Sequence, residues 1–255
     1  MKRFYLTFIA GLLFLEAKRV KKFGILGGMG PEATVLLMQR VLSSTKADDD
    51  IDHIPMIVHQ NTQVPSRIQS LLYGTGADPV PTLQKMASDL ELLGCDFLAM
   101  PCNTAHYYHR TISQGVSIPF LNMIELTIKS LISMKLQKIG VLASPAAKKT
   151  KVFDQYFNEF GLQKIFSKND QEILSLIKSV KSNQINGTII SRFKNAVLDL
   201  SKQGCDGILI GCTEFSILKT YLDDDQIYVD SIDCLTKEIT LLAANQSCKS
   251  EDTDG

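Results

Sequence analysis

Leu90–Tyr108 reads LELLGCDFLAMPCNTAHYY. A short apolar run, Phe97–Met100, stops at Pro101, and a cysteine stands directly after the stop. Cys102, Asn103 and Thr104 then open what reads as a helix. The same design returns at Leu200–Leu218, LSKQGCDGILIGCTEFSIL. Gly94-Cys95-Asp96 recurs as Gly204-Cys205-Asp206 and Cys102 recurs as Cys212, each 110 positions further on. Two equivalent strand ends, each tipped by a cysteine and a small polar residue, point to one site shared by two halves of the chain.

The neighbouring stretches extend that doubling. Lys22–Leu26 (KFGIL) is an apolar strand, followed by Gly27-Gly28-Met29-Gly30-Pro31-Glu32 and a helix running to about Ser44. Pro31 and Glu32 suit a first helical turn. Pro55–His59 is a second strand, and Pro81–Leu93 a helix that stops at Gly94, a residue suited to a helix C-terminus. Ile118–Met123 reads as a fourth strand and Ile124–Met134 as a helix. In the second half Lys138–Leu142 (KIGVL) echoes KFGIL, Gln163–Phe166 and Gly207–Ile210 are strands, and Ile227–Val229 echoes Phe120–Leu121. Helices are expected over Phe153–Phe160, Ile173–Lys181, Thr188–Gln203 and Asp233–Ala244. This alternation predicts an α/β fold of parallel sheets with helices on both faces. Ligands in such folds bind beyond the carboxyl ends of the strands, where both cysteines lie.

A chain of 255 residues, 45% hydrophobic and 21% charged, can bury a soluble core as one large domain or two small ones. Its 27 Lys and Arg balance 27 Asp and Glu, so no charge excess argues for nucleic acid or acidic lipid as a partner. Six cysteines, four of them in two matched pairs, do not form a secreted disulfide pattern in a chain this long. A reducing compartment, the cytoplasm, is the simpler reading. Against it, Met1-Lys2-Arg3 and the apolar run Phe4–Leu15 have the outline of a secretory signal. That run has 12 residues, short of the about 20 that span a bilayer. Cleavage after Ala17 would put Leu15 where a small residue is wanted. Residues 1–21 are therefore either an N-terminal extension or, for a periplasmic protein, an export signal. Ser247–Gly255 reads as a disordered acidic tail.

A cysteine just after a strand and at a helix N-terminus has its thiolate favoured by the helix dipole and free amides. Cys95 and Cys205 precede their strands and read as structural. For Cys102 and Cys212 several readings stand open. They could be buried small residues. A redox pair would use C-x-x-C spacing, which is absent. A metal site could recruit Cys102, His106 and His109, but only Thr213 and Glu214 flank the second cysteine, a poor donor set for zinc. As an acid/base pair, one thiolate removes a proton from carbon while the opposing thiol protonates the other face, inverting a stereocentre. Such chemistry needs small polar donors beside each cysteine to hold a carboxylate whose charge grows as the carbanion forms. Asn103, Thr104 and Thr213 supply them. The Gly27–Gly30 cluster either cradles a carboxylate with its N–H groups or simply turns the chain. Arg67, on a polar loop, is either solvated or a bidentate partner for a carboxylate.

GGMGPEAT (Gly27–Thr34), MPCNTAH (Met100–His106) and GCTEF (Gly211–Phe215) together resemble the cofactor-independent aspartate/glutamate racemase family, in its aspartate racemase branch. The resemblance covers Lys22–Ala244. It implies two similar three-layer α/β/α domains related by a pseudo-twofold, 22–123 plus 233–246 and 124–232, with the active site in the cleft between them. It implies racemisation by Cys102 and Cys212 with neither pyridoxal phosphate nor metal, Cys212 serving the L enantiomer and Cys102 the D. Asn103, Thr104 and Thr213 match positions that hold the α-carboxylate, and Met29 lies in the matching glycine-rich start. Gln60-x-Thr62 with Pro65-x-Arg67 matches the loop whose Arg meets the side-chain carboxylate of aspartate, and Lys181 matches a substrate-facing lysine. Glu214 stands where the glutamate branch has His, which favours aspartate, or a related acidic or broad substrate, over glutamate. Ser144-Pro145-Ala146-Ala147 departs from the family's Thr-x-Gly-Thr turn. A homodimer is also implied. Other readings are a racemase of another acidic or broader amino-acid range, a one-cysteine relative, or a non-catalytic dicarboxylate binder.

Overall fold

The computed structural model describes residues 20–223 and 226–244; the apolar run Phe4–Leu15 and the acidic tail lie outside them. Strands β1 (Phe23–Gly27), β2 (Met56–Gln60) and β3 (Phe97–Ala99) form a parallel sheet in the order β2-β1-β3. Strands β4 (Lys138–Ala143), β5 (Gln163–Phe166), β6 (Gly207–Gly211) and β7 (Tyr228–Asp230) form a second, in the order β5-β4-β6-β7. The helices are α1 (Pro31–Ser44), α2 (Val80–Leu92), α3 (His109–Ser113), α4 (Met123–Ser133), α5 (Pro145–Lys149), α6 (Asp154–Glu159), α7 (Asp170–Lys181), α8 (Gly187–Ser201), α9 (Thr213–Leu218) and α10 (Ser231–Ala244).

The repeated Gly-Cys-Asp triplets are the same clasp built twice. Gly94 and Gly204 take left-handed φ angles of 76° and 73° just beyond α2 and α8, a conformation that glycine adopts at little cost. The aspartate two residues later then reaches the chain where the neighbouring strand starts, at the residue before β1 and at the first residue of β4. The Lys22 amide donates to Asp96 Oδ2 at 2.8 Å and the Lys138 amide to Asp206 Oδ2 at 2.7 Å. Each lysine side chain returns to the helix end, Lys22 Nζ to the Leu93 carbonyl at 2.8 Å and Lys138 Nζ to that of Gln203 at 2.6 Å.

The expected fourth strand over Ile118–Met123 is not there; Phe120 makes a single parallel bridge to Leu98. Two hydrogen bonds carry it, Leu98 N–H to the Pro119 carbonyl at 2.8 Å and Leu121 N–H to that of Leu98 at 2.9 Å. Pro119 has no amide to extend the ladder. Asn122 already caps α4, its side chain accepting from the Ile124 and Glu125 amides. The chain therefore leaves the sheet after two residues, in the place that β7 fills in the second sheet. One further segment differs from expectation: Ser144–Ala147, expected as a turn, starts α5, with Ser144 Oγ accepting from the Ala147 amide at 3.1 Å. Ile68–Tyr73, just beyond Arg67, is a π-helical turn.

Alternating strand residues separate the two faces of the first sheet. Phe23, Ile25, Phe97 and Ala99 pack with Leu37 and Val41 of α1, Met123 of α4, and Leu235 and Ile239 of α10. Leu26 and Leu98 face Leu83, Met86 and Leu90 of α2. In the second sheet Ile208 and Ile210 face α7 and α8, while Ile139, Val141 and Leu209 face Ile124 and Ile128 of α4 and Phe157 of α6. α4 thus contributes to both cores, and α10, which follows β7 of the second sheet, packs on the first.

A buried ion pair also joins the halves. Arg40 of α1 meets Asp230 of β7 at 2.8 Å, where the Arg40 side chain is 18% exposed and the Asp230 side chain 0%. Arg40 also meets Asp233 at 2.8 Å and the Ser216 carbonyl of α9 at 3.2 Å. Removing Arg40 strands the fully buried Asp230 carboxylate away from water, whereas Arg40 without Asp230 keeps Asp233. Arg40→Leu is accordingly expected to lower the urea unfolding free energy by about 3–5 kcal/mol, with Arg40→Leu/Asp230→Ala costing less than Arg40→Leu alone. A loss below about 1 kcal/mol, the worth of an exposed pair, would contradict this.

Candidate active site

β3 and β6 deliver Cys102 and Cys212 to the walls of one cavity. Pro101 ends the first strand, and the chain passes through Cys102 and Asn103 into a 3₁₀ turn, Thr104–Tyr108. Cys212 follows Gly211 of β6 and sits directly before α9, its carbonyl accepting from the Phe215 amide at 2.9 Å. Both cysteines are buried, 7% and 5% exposed, and both are free thiols, as are Cys95, Cys205 and Cys234. The first half adds Met29, Ser66, Arg67, Ile68, Asn103 and Thr104 to the lining; the second adds Ser144, Ile177, Lys181, Thr213 and Glu214. Gln60 and Thr62 are exposed and stand outside this lining.

Glu214 is the member whose role the sequence does not disclose. It is buried, and its carboxylate bridges the two functional groups of the second half. The Cys212 thiol donates to Glu214 Oε2 at 3.0 Å, and Lys181 Nζ lies 3.2 Å from Oε1. The expectation that a helix N-terminus favours the thiolate fails at Cys212. Burial, then the Glu214 charge and the hydrogen bond to it, push this thiol well above its ordinary pKa, and Lys181 offsets only part. Cys212 is therefore a protonated donor. For Lys181, burial disfavours the ammonium, but Glu214 and the two cysteines outweigh it and raise its pKa. Lys181 and Ile177 are four residues apart on α7, so one helical face brings both to the cavity.

Arg67 is buried and turned along the cavity wall. Its Nη1 donates to the carbonyls of Val64 at 3.2 Å and Pro65 at 3.0 Å, and its Nη2 to that of Met29 at 3.3 Å. A guanidinium has five N–H donors. Nε is buried without a partner, so Nε and the remaining Nη2 hydrogen are left for an acceptor. Asn103 is the second lining residue with such an atom. Its Nδ2 donates to Ser231 Oγ at 2.8 Å and that hydroxyl donates to the Ile210 carbonyl at 3.0 Å, while Oδ1 is buried and unpaired. Unmatched buried polar atoms are costly, and a polar ligand would satisfy both. Thr104 and Ser144 face each other across the halves, Oγ1 to Oγ at 2.8 Å.

The glycine-rich start closes a turn. Gly28 has φ 89°, and a Cβ there would come within 2.4 Å of the Asn61 backbone. Its amide donates to Thr34 Oγ1 at 2.9 Å, which leaves Met29 to face the cavity. His106 is fully engaged by backbone. The Met123 amide donates to its Nε2 at 3.0 Å, and its Nδ1–H donates to the Cys102 carbonyl at 2.8 Å. Among the described residues no cluster of three or more His, Cys, Asp and Glu side chains could hold a metal ion.

Residues 26–239 match the family described as Asp/Glu/Hydantoin racemase. The chain belongs to that family. Membership makes it a racemase-type isomerase. It is similar to the broad specificity amino-acid racemase RacX of Bacillus subtilis (strain 168), 27% identical over 224 residues, 84% of this chain and 94% of that relative. Among solved structures, the aspartate racemase of Picrophilus torridus superposes with a TM-score of 0.80 at 24% identity, over 88% of this chain and 94% of that one. A glutamate racemase isoform of Bacillus anthracis gives a TM-score of 0.65 at 17% identity, over 92% of this chain and 85% of that one. At these identities the structural likeness is one of fold, the two-domain α/β fold of the racemases. No helix among the described residues is long and apolar enough to cross a membrane.

Burial first, then the neighbouring His109, push His106 down to a pKa of about 3 from 6.5. Between those values the unfolded chain binds a proton that the folded one refuses. Stability is then lost as pH falls from 6.5 towards 3, by about 1.4 kcal/mol per unit from this group. Replacing it, as His106→Gln, should make the unfolding free energy less steep over this range by about one proton. An unchanged slope would show that His106 is not held neutral.

Proposed function

We propose that the protein interconverts L- and D-aspartate by two-base proton transfer at the α-carbon, with Cys102 and Cys212 as the two bases. The observation that carries this reading is that equivalent strand ends from the two sheets bring two buried free thiols to one cavity. In the reading, the Cys102 thiolate takes the α-proton of one enantiomer while the Cys212 thiol protonates the opposite face; the roles reverse in the other direction. Glu214 keeps Cys212 protonated until it donates. Thr104, Thr213 and the second Nδ2 hydrogen of Asn103 hold the α-carboxylate, where hydrogen bonds strengthen as negative charge spreads onto it, and the unpaired Asn103 Oδ1 is left to accept from the α-ammonium. The free Nε edge of Arg67, with Lys181 beside it, takes the side-chain carboxylate, as a bidentate or charge-assisted contact. Acid and base are both supplied by the chain, so the reading calls on no cofactor. Two free thiols suit the reducing cytoplasm, and a homodimer belongs to the same reading.

A broader amino-acid range is the second reading, favoured by the similarity to a broad specificity racemase. A screen of L-amino acids for D product separates the two. Aspartate turning over far faster than neutral amino acids supports the first reading, and comparable rates support the second. No racemisation of any amino acid would leave a non-catalytic binder. Cys102→Ala and Cys212→Ala should each lower kcat for racemisation by several orders of magnitude, because each face needs its own proton carrier; activity retained in either would exclude the two-base scheme. Glu214→Gln removes the charge that raises the Cys212 pKa. In the direction where Cys212 is the acid, the basic limb of the kcat/KM profile should move to lower pH. A limb that stays in place would remove Glu214 from the mechanism.

A further inference from the structure

The Ile68–Tyr73 turn springs from the first half of the chain, yet its far end is held by the second. Ser66, Arg67 and Ile68, at its start, line the cavity. At its other end the Lys149 ammonium donates to the Leu72 carbonyl at 2.6 Å. Helical turns leave carbonyls without internal partners at their C-terminal ends, and a cation is favoured there. Gly74, with φ 69°, ends the turn at this point. Lys149 is the last residue of α5, the helix that begins on cavity-lining Ser144. A second tether, Ser70 Oγ to the Tyr108 hydroxyl at 3.2 Å, ties the middle of the turn to the segment that follows Cys102.

The cavity is about 30 Å³, room for a water molecule or two, and an amino acid needs a wall to move before it enters. Cys102, Asn103, Cys212 and Thr213 are buried at the ends of strands and offer no such freedom. The turn does, because each of its two side-chain tethers is a single hydrogen bond and that of Lys149 is exposed.

We infer that Lys149 is a positioning residue. By clasping the Leu72 carbonyl it holds the Ser66–Tyr73 wall against the second half of the chain once the wall has closed over the substrate. Lys149 is not part of the cavity lining, and Arg67 is already fixed to the carbonyls of Met29, Val64 and Pro65. The clasp therefore acts on the turn as a body and not on the guanidinium. The inference rests on the racemase reading and adds to it the device that encloses the substrate.

Hydrogen–deuterium exchange of the amides in 66–75 tests the clasp on the unliganded protein. Loss of one charge-assisted hydrogen bond predicts exchange about fivefold faster in Lys149→Met, confined to this segment and restored in Lys149→Arg, which keeps a cation. With the amino acid that the racemisation screen identifies, Lys149→Met should raise KM about fivefold, leave kcat within about twofold, and be rescued by Lys149→Arg. Unchanged exchange at 66–75, exchange accelerated along the whole chain, no rescue by Arg, or an unchanged KM would each overturn the inference. The exchange result does not depend on turnover. A protein that racemises no amino acid would sink the racemase reading, and the exchange data would still judge the clasp.

Discussion

One guanidinium joins the two halves of the molecule where it matters for the site. Arg40, on a helix of the first half, reaches Asp230 at the end of β7 and the Ser216 carbonyl in α9, both of the second, together with Asp233 of α10, the helix that crosses back onto the first sheet. Ser216 closes the circle by donating its hydroxyl to Asp230 at 2.7 Å. α9 is the helix that starts at Cys212. A pair whose carboxylate is fully buried cannot exchange its partner for water at low cost, so the position of Cys212 in the cavity it lines with Cys102 is tied to it. The shared helices α4 and α10 do the same with apolar surface. The cavity is a product of how two sheets are joined, and neither sheet contains it alone.

Within the cavity, burial and charge compete, and burial prevails at Cys212. A helix N-terminus offers a thiolate a modest stabilisation; enclosure beside a carboxylate removes more than that. The outcome is a thiol bonded to Glu214, which is in turn paired with Lys181. A proton carrier that must donate is better served by such a setting than by an exposed, acidic thiol. Arg67 Nε and Asn103 Oδ1, a donor and an acceptor, are likewise buried without partners, an arrangement that a ligand carrying both charges would satisfy.

Much of this was legible in the sequence because it is written twice. The Gly-Cys-Asp triplets, the strand-end cysteines and the KFGIL and KIGVL strands recur in order, and local chemistry explains each: a left-handed glycine, an aspartate clasp, a buried alternating strand. The residues that hold the family resemblance also lie in short contiguous motifs. What the sequence did not disclose depends on contacts between distant segments. Glu214 looks like an ordinary first-turn acid until Lys181 and Cys212 are placed beside it. Ser144–Ala147 reads as loop because its cap bond is invisible in a Pro-Ala-Ala string. Phe120 cannot extend a strand between Pro119 and a capping Asn122, a limit that apolar periodicity does not register. Gln60 ends β2 and Thr62 lies in the loop that leads to Arg67, but of the three only Arg67 lines the cavity.

The central claim is that two opposed thiols move one proton each. Incubating L-aspartate in heavy water and analysing both enantiomers at low conversion tests it directly. In the two-base account the D-aspartate formed carries solvent deuterium at the α-carbon. The L-aspartate recovered stays largely protiated, because the thiol on its own face returns the proton it took. Deuterium entering recovered L-aspartate as fast as it enters D-aspartate would mean that one base serves both faces, and would contradict the account.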